Sequence, residues 1–140
     1  TVTTSIHTTP VDMKRLASLD GKSAHAVYVV IPYKTLVSEP DYEKYADGYV
    51  IPQFKGWMEE GVLQGYSLYT SRFPAGRPWN AMVVLQYKDE AALSAREAVV
   101  AKVRARLKAN PEWKAISDGK KDVRTELQVV VADRLAVNHE

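Results

Sequence analysis

Hydrophobic positions recur along the chain with two different periods, and the points where the period changes divide it into elements. From Ser23 to Tyr33 the run AHAVYVVIPY is apolar on consecutive positions, which predicts a strand covered on both faces near the middle of a sheet. Between Asp41 and Gly61 the spacing lengthens to three and four. Tyr42, Tyr45, Tyr49, Phe54, Trp57 and Met58 fall on one side, and Glu43, Lys44, Asp47, Lys55 and Glu59 on the others. This is an amphipathic helix, with Ser38 placed to cap its start and Gly61 to stop it. Pro52 lacks the N–H that an α-helix needs at that position and crowds the carbonyl of Gly48, so a break or kink is expected between them.

Alternation returns in Gln64 to Arg72 and again in Asn80 to Tyr87. Pro74, Gly76 and Pro78 lie between them, which predicts a β-hairpin. A longer helix opens at Asp89, presents Ala92, Ala95, Val99, Val103 and Leu107 as a stripe, and stops at Asn110-Pro111. A helical turn through Glu112, Trp113 and Ile116 ends at Asp118-Gly119. The basic connector Lys120 to Arg124 then leads to a last strand within Glu126 to Leu135. At the other end, Thr1 to Pro10 reads as an extended arm, and Val11 to Leu19 as a short helix closed by Asp20-Gly21.

The order strand, helix, strand, strand, helix, strand is that of the split βαβ, ferredoxin-like arrangement. It predicts an α+β domain over residues 23–140, preceded by an N-terminal arm over 1–22. The expected sheet is four-stranded and antiparallel, except that its first and third strands are expected to be central and parallel. Right-handed crossovers put both helices on one face. The other face is then left open, although either choice of face exposes apolar side chains from Val27, Val29 and Ile31 or from Tyr28 and Val30.

With the AHAVYVVIP strand, the GYSLYTSR-to-NAMVVLQY hairpin and the tail PEWKAISDGKKDVRTELQVVVADRL in this order, residues 23–135 resemble the dimeric α/β-barrel superfamily. There, two ferredoxin-like subunits press their open sheet faces together with the helices outside. The resemblance implies a homodimer. It also brings in cofactor-free quinone-forming monooxygenases, haem-degrading enzymes and isomerases as relatives, among which fold alone does not choose.

Composition narrows the picture by exclusion. The 140 residues carry 19 basic and 17 acidic side chains, a net charge of +2 that is too even to imply a nucleic-acid or anionic membrane surface. No apolar run approaches the ~20 residues of a membrane span. The absence of cysteine removes disulfides and thiolate chemistry, and suits reducing and oxidising compartments alike. Thr1 at the start is compatible with a cleaved signal peptide or a removed initiator, and the cytoplasm is the default expectation.

Candidate chemistry gathers on the aromatics. The phenols Tyr42, Tyr45 and Tyr49, with Trp57, are spaced to line a pocket between the first helix and the sheet, or to pack as core. The hairpin adds Tyr66, Tyr69, Arg72, Arg77 and Trp79, and an arginine beside phenols can hold a carboxylate or enolate by paired hydrogen bonds. His25 opens the first strand, whereas His7 and His139 lie near the termini. The expected ligand-binding set is Tyr45, Tyr49, Trp57, Tyr66, Arg72 and His25. No metal-ligand spacing occurs, and neither long helix carries a histidine for haem, so no cofactor is expected. The third strand lacks the aromatic and basic pattern of RNA binding. The chain therefore reads as a homodimeric binder of a small apolar or aromatic molecule. The alternatives are a cofactor-independent monooxygenase or isomerase, in which a Tyr or His moves a proton and Arg72 steadies an oxyanion, and a structural dimerisation module.

Overall fold

The computed structural model describes residues 8–19 and 24–133. The first seven residues, the Asp20-Gly21 turn, Ser23 and residues 134–140, with His7 and His139, lie outside that range. The elements run β1 (Val11–Ser18), β2 (Val27–Thr35), α1 (Glu39–Tyr45), a π-helical turn (Ala46–Val50), α2 (Ile51–Glu59), β3 (Leu63–Ser71), β4 (Ala81–Tyr87), α3 (Glu90–Ser94), α4 (Arg96–Leu107), α5 (Pro111–Asp118), β5 (Arg124–Glu126) and β6 (Val130–Asp133). The sheet has the order β1-β3-β4-β2-β5, with β6 also paired to β2. Every pairing is antiparallel. This is the expected ferredoxin-like α+β fold, with an open sheet and an added edge strand.

Four expectations change. The first and third core strands, β2 and β4, are central but antiparallel. The crossover through α1 and α2 makes β2 and β3 parallel, and the hairpin then reverses the chain once more. The segment expected as a short helix, Val11 to Leu19, is strand β1 on the outer edge of β3. Its apolar residues fit a helical face loosely, and pairing with a free sheet edge satisfies its backbone. Arg15 fastens β1 to the helix above, donating to both carboxylate oxygens of Asp47 at 2.7 Å and to Glu43 at 3.1 Å. Lys14 pairs with Glu39 at 2.9 Å. Hydrogen bonds from these cations hold both Asp47 and Glu39 below the usual carboxylate range. The attachment is therefore intact at neutral pH and is lost only as acid protonates them.

The last strand is split, and Pro32 explains the split. Its carbonyl accepts from Leu127 N–H, so this edge of Pro32 faces the last strand, but proline has no N–H to return. Pairing with β2 accordingly breaks between Glu126 and Val130. Fourth, the expected single helix from Asp89 divides at Ala95 into α3 and α4.

The expected break in the first helix takes the form of the π turn. Ile51 N–H donates to the carbonyl of Ala46, five residues back, and this wider register absorbs the missing donor of Pro52 without interrupting the helix. Ser38 caps the start through Asp41 N–H. The core lies between this helix and the inner face of the sheet, where Val27, Val29 and Tyr33 of β2, Leu68 of β3 and Val83, Leu85 and Tyr87 of β4 are buried. Beyond it, α4 packs on α2. A Cβ at Gly56 would stand 2.5 Å from Cγ1 of Val103, so the contact requires glycine. Gly56→Ala should cost ~1–3 kcal/mol by overpacking, read as a lower urea midpoint at unchanged slope.

Candidate functional site

The site begins with the π turn. It presents Tyr49 and Val50 toward the sheet beside Tyr45 of α1 and Phe54 and Trp57 of α2, and rings stack from Tyr45 to Tyr49 at 5.3 Å and from Tyr49 to Trp113 at 5.0 Å. The carbonyl of Tyr49 accepts from Trp113 Nε1 at 3.0 Å and from Gln53 Nε2 at 3.1 Å. Gln53 in turn takes a hydrogen bond from Arg104 of α4 at 2.8 Å. Side chains from two later helices thus brace the widened turn.

Between this wall and the sheet lies a cleft of about 380 Å³. Its floor is Ile31 and Tyr33 of β2 and Leu85 of β4. Its walls are Tyr45, Tyr49, Phe54 and Trp57, and its mouth carries Arg104, Lys120, Lys121, Arg124 and Glu126. Four cations against one acid make that mouth electropositive.

Arg124 is its centre. The guanidinium lies 3.7 Å from the centroid of the Tyr33 ring and 5.3 Å from that of Tyr45, and donates to the Tyr42 hydroxyl at 3.2 Å. Burial opposes its charge, but Tyr33, Tyr42 and Tyr45 around it raise its pKa, so it stays a cation. Among the described residues no carboxylate forms an ion pair with it. Burial pushes the Tyr45 phenol up to about 12 and raises that of Tyr33 further, with Arg124 pulling both the other way. Both phenols remain protonated donors at neutral pH. A further donor is Trp57, which is 7% exposed and whose buried Nε1 has no hydrogen-bond partner among the described residues. Leaving such a group unpaired costs ~1–3 kcal/mol.

Of the six residues expected from sequence, Tyr45, Tyr49 and Trp57 line this cleft together. Tyr66 is buried on β3 against Phe54, at 5.2 Å between ring centroids, behind the wall. Arg72 is elsewhere, paired with Asp12 of β1 at 2.7 Å on an exposed edge. His25 borders a different cavity, with Asp89, Glu90 and Asp133. Arg77 reaches the carbonyl of Thr8, again away from the cleft. Arg124 was hidden in what reads as a basic connector. The signal for it was topological, because the last strand pairs with the first, and a residue opening it must stand where the first strand ends, over Tyr33. Among the described residues no group of histidine and carboxylate side chains is placed to hold a metal ion, and no helix is long and apolar enough to cross a membrane.

The Tyr49 hydroxyl makes no hydrogen bond with the described residues, so Tyr49→Phe should change the free energy of unfolding by less than ~0.5 kcal/mol. A loss near ~1.5 kcal/mol in chemical denaturation would mark the hydroxyl as a structural partner instead.

Neither a protein-family model nor a curated protein matches the chain. Among solved structures, HapK from Hahella chejuensis is 8% identical, with a TM-score of 0.52 over 81% of this chain and 97% of that one. SnoaB, a cofactor-independent oxygenase from Streptomyces nogalater, is 9% identical with a TM-score of 0.49, over 83% of this chain and 99% of that one. A NIPSNAP family protein of unknown function from Agrobacterium tumefaciens is 20% identical with a TM-score of 0.46, over 84% of this chain and 94% of that one. At such identities the likeness is one of fold.

Proposed function

We propose that this chain, which has the ferredoxin-like fold of the dimeric α/β-barrel superfamily, works as a homodimer that binds a small, mostly apolar molecule bearing an anionic oxygen in the cleft between the first helix and the sheet. The observation that carries this reading is Arg124, a cation stacked on Tyr33, unmatched by any carboxylate among the described residues and backed by aromatic walls. Such a group receives a carboxylate, enolate or phenolate by charge-assisted hydrogen bonds, while the rings shed water onto the ligand body. The free N–H of Trp57 offers a further donor. Tyr45, Tyr49 and Trp57 are the ligand-contacting residues of this proposal, joined by Arg124. The chemistry assigned is binding, since the Tyr33 and Tyr45 phenols are held protonated and suit donation better than proton abstraction.

The dimer rests on the outer face of the sheet. Tyr28, Val30, Met82 and Val84 alternate with the buried positions of β2 and β4, and are flanked by Leu16, 63% exposed on β1, and Val130, 47% exposed on β6. A second copy would cover them.

The test uses 2-naphthoate, a flat anion of suitable size, with neutral 2-methylnaphthalene as control. The carboxylate should raise the melting temperature in a concentration-dependent way, by the equivalent of ~2.7 kcal/mol at a hundred times its Kd, and the neutral ring far less. Equal stabilisation by both would remove the anion from the reading, and stabilisation by neither would remove the cleft.

A further inference from the structure

Helix α4 covers the sheet incompletely. Val103 is its one fully buried side chain, and it is spent on Gly56 of α2, while Val99 and Val100 stay partly exposed. Beneath α4 lies a second chamber of about 560 Å³, lined by Val29, Tyr87, Val100, Ala101 and Val129. Val129 belongs to the segment that Pro32 displaces from the last strand. This chamber shares Ile31, Trp57, Leu85, Arg104 and Glu126 with the aromatic cleft, so the two form one groove along β2. The ends differ chemically. The first carries Arg124, Lys120 and Lys121 at its mouth, whereas the second has mostly apolar walls, and the charges it does not share with the first, Arg96 and Glu97, are of opposite sign and stand together on α4. From Tyr33 to Val29 the groove follows four residues of β2, about 13 Å at ~3.3 Å per residue.

We infer that the ligand is an elongated amphipathic anion, whose head meets Arg124 and whose apolar tail passes Trp57 and lies under α4 against Val29 and Tyr87. This rests on the proposed binding at Arg124 and adds the shape of the ligand. A flat bicyclic acid fills only the first chamber, and leaves the apolar surface of Val29, Val100 and Val129 in water. A straight-chain carboxylate covers both, and each CH₂ removed from water adds ~0.8 kcal/mol, about fourfold in affinity, until the groove is full.

The experiment compares hexanoate, dodecanoate and 2-naphthoate by titration calorimetry, with dodecanoate kept below its micelle concentration. Dodecanoate should bind at least tenfold more tightly than hexanoate. Val100→Trp, which plugs the second chamber, should abolish that advantage while leaving hexanoate and 2-naphthoate within twofold. Val129→Asp, at a position already 42% exposed where a carboxylate stays hydrated, should diminish it in the same direction. If 2-naphthoate binds and dodecanoate gains nothing over hexanoate, or if both variants keep the advantage, the elongated ligand is overturned and the aromatic site stands. If 2-naphthoate does not bind at all, the cleft and this inference fall together.

Discussion

Replacing Val84 by aspartate should convert a dimer into a folded monomer. Val84 sits at the middle of β4 on the outer face, directly opposite Val30 of β2 and Ser67 of β3, so in a face-to-face pairing of sheets it lies near the centre. A carboxylate buried there without a partner costs several kcal/mol, and two-fold symmetry places one on each subunit. The dissociation constant should rise by at least about a thousandfold. The subunit itself should survive, because the substituted face contributes little to its own core. Multi-angle light scattering at micromolar concentration reads the mass, and circular dichroism reads the fold. A parent protein that already scatters as one chain under these conditions would remove the barrel assembly from the proposal.

Replacing Arg124 by methionine should weaken 2-naphthoate binding by about 10–100-fold, the worth of a charge-assisted pair of hydrogen bonds at ~1.5–3 kcal/mol, and should leave 2-methylnaphthalene unchanged. Lysine at this position should recover only part of the loss. Its ammonium is a point charge that cannot lie flat on Tyr33, 3.7 Å away, while also presenting a fork to the ligand. Methionine keeps most of the stem volume, so the comparison isolates the guanidinium. Equal loss for the anion and the neutral ring would mean that Arg124 shapes the cleft and does not recognise charge.

The sequence made the ferredoxin-like order and three cleft residues legible for one reason. Tyr45, Tyr49 and Trp57 sit on one helix whose period is local, and the π turn that carries Tyr49 lies where Pro52 had to disturb the ladder. Arg124, Arg104 and Gln53 were not legible, because their place depends on strand β5 and helix α4 arriving from far along the chain. Arg72 misled for the same reason in reverse. It lies beside tyrosines on a strand, but its partner is Asp12 across the β1–β3 pairing, on an edge that the reading of Val11 to Leu19 as helix had left empty. The parallel assignment of the first and third strands failed on counting reversals, not on any residue.

The π turn also sets a phase. In an α-helix each residue turns the chain by about 100°, and a segment hydrogen-bonded five residues back carries one residue more per turn than its neighbours. The faces of α1 and α2 are thus offset by about one residue's rotation, which is what lets Tyr45 and Trp57 address the same floor from either side of Ala46–Val50. Closing 46–50 into ordinary α-helical register with every residue kept would draw the two helices into one continuous spiral. The ends would remain anchored, at Ser38 and at Gly61, but Tyr42 and Tyr45 would swing about 100° relative to Phe54 and Trp57 and lose Arg124. The hydrogen-bond register of this short segment, more than the identity of any one side chain in it, keeps the aromatic wall in line with its cation.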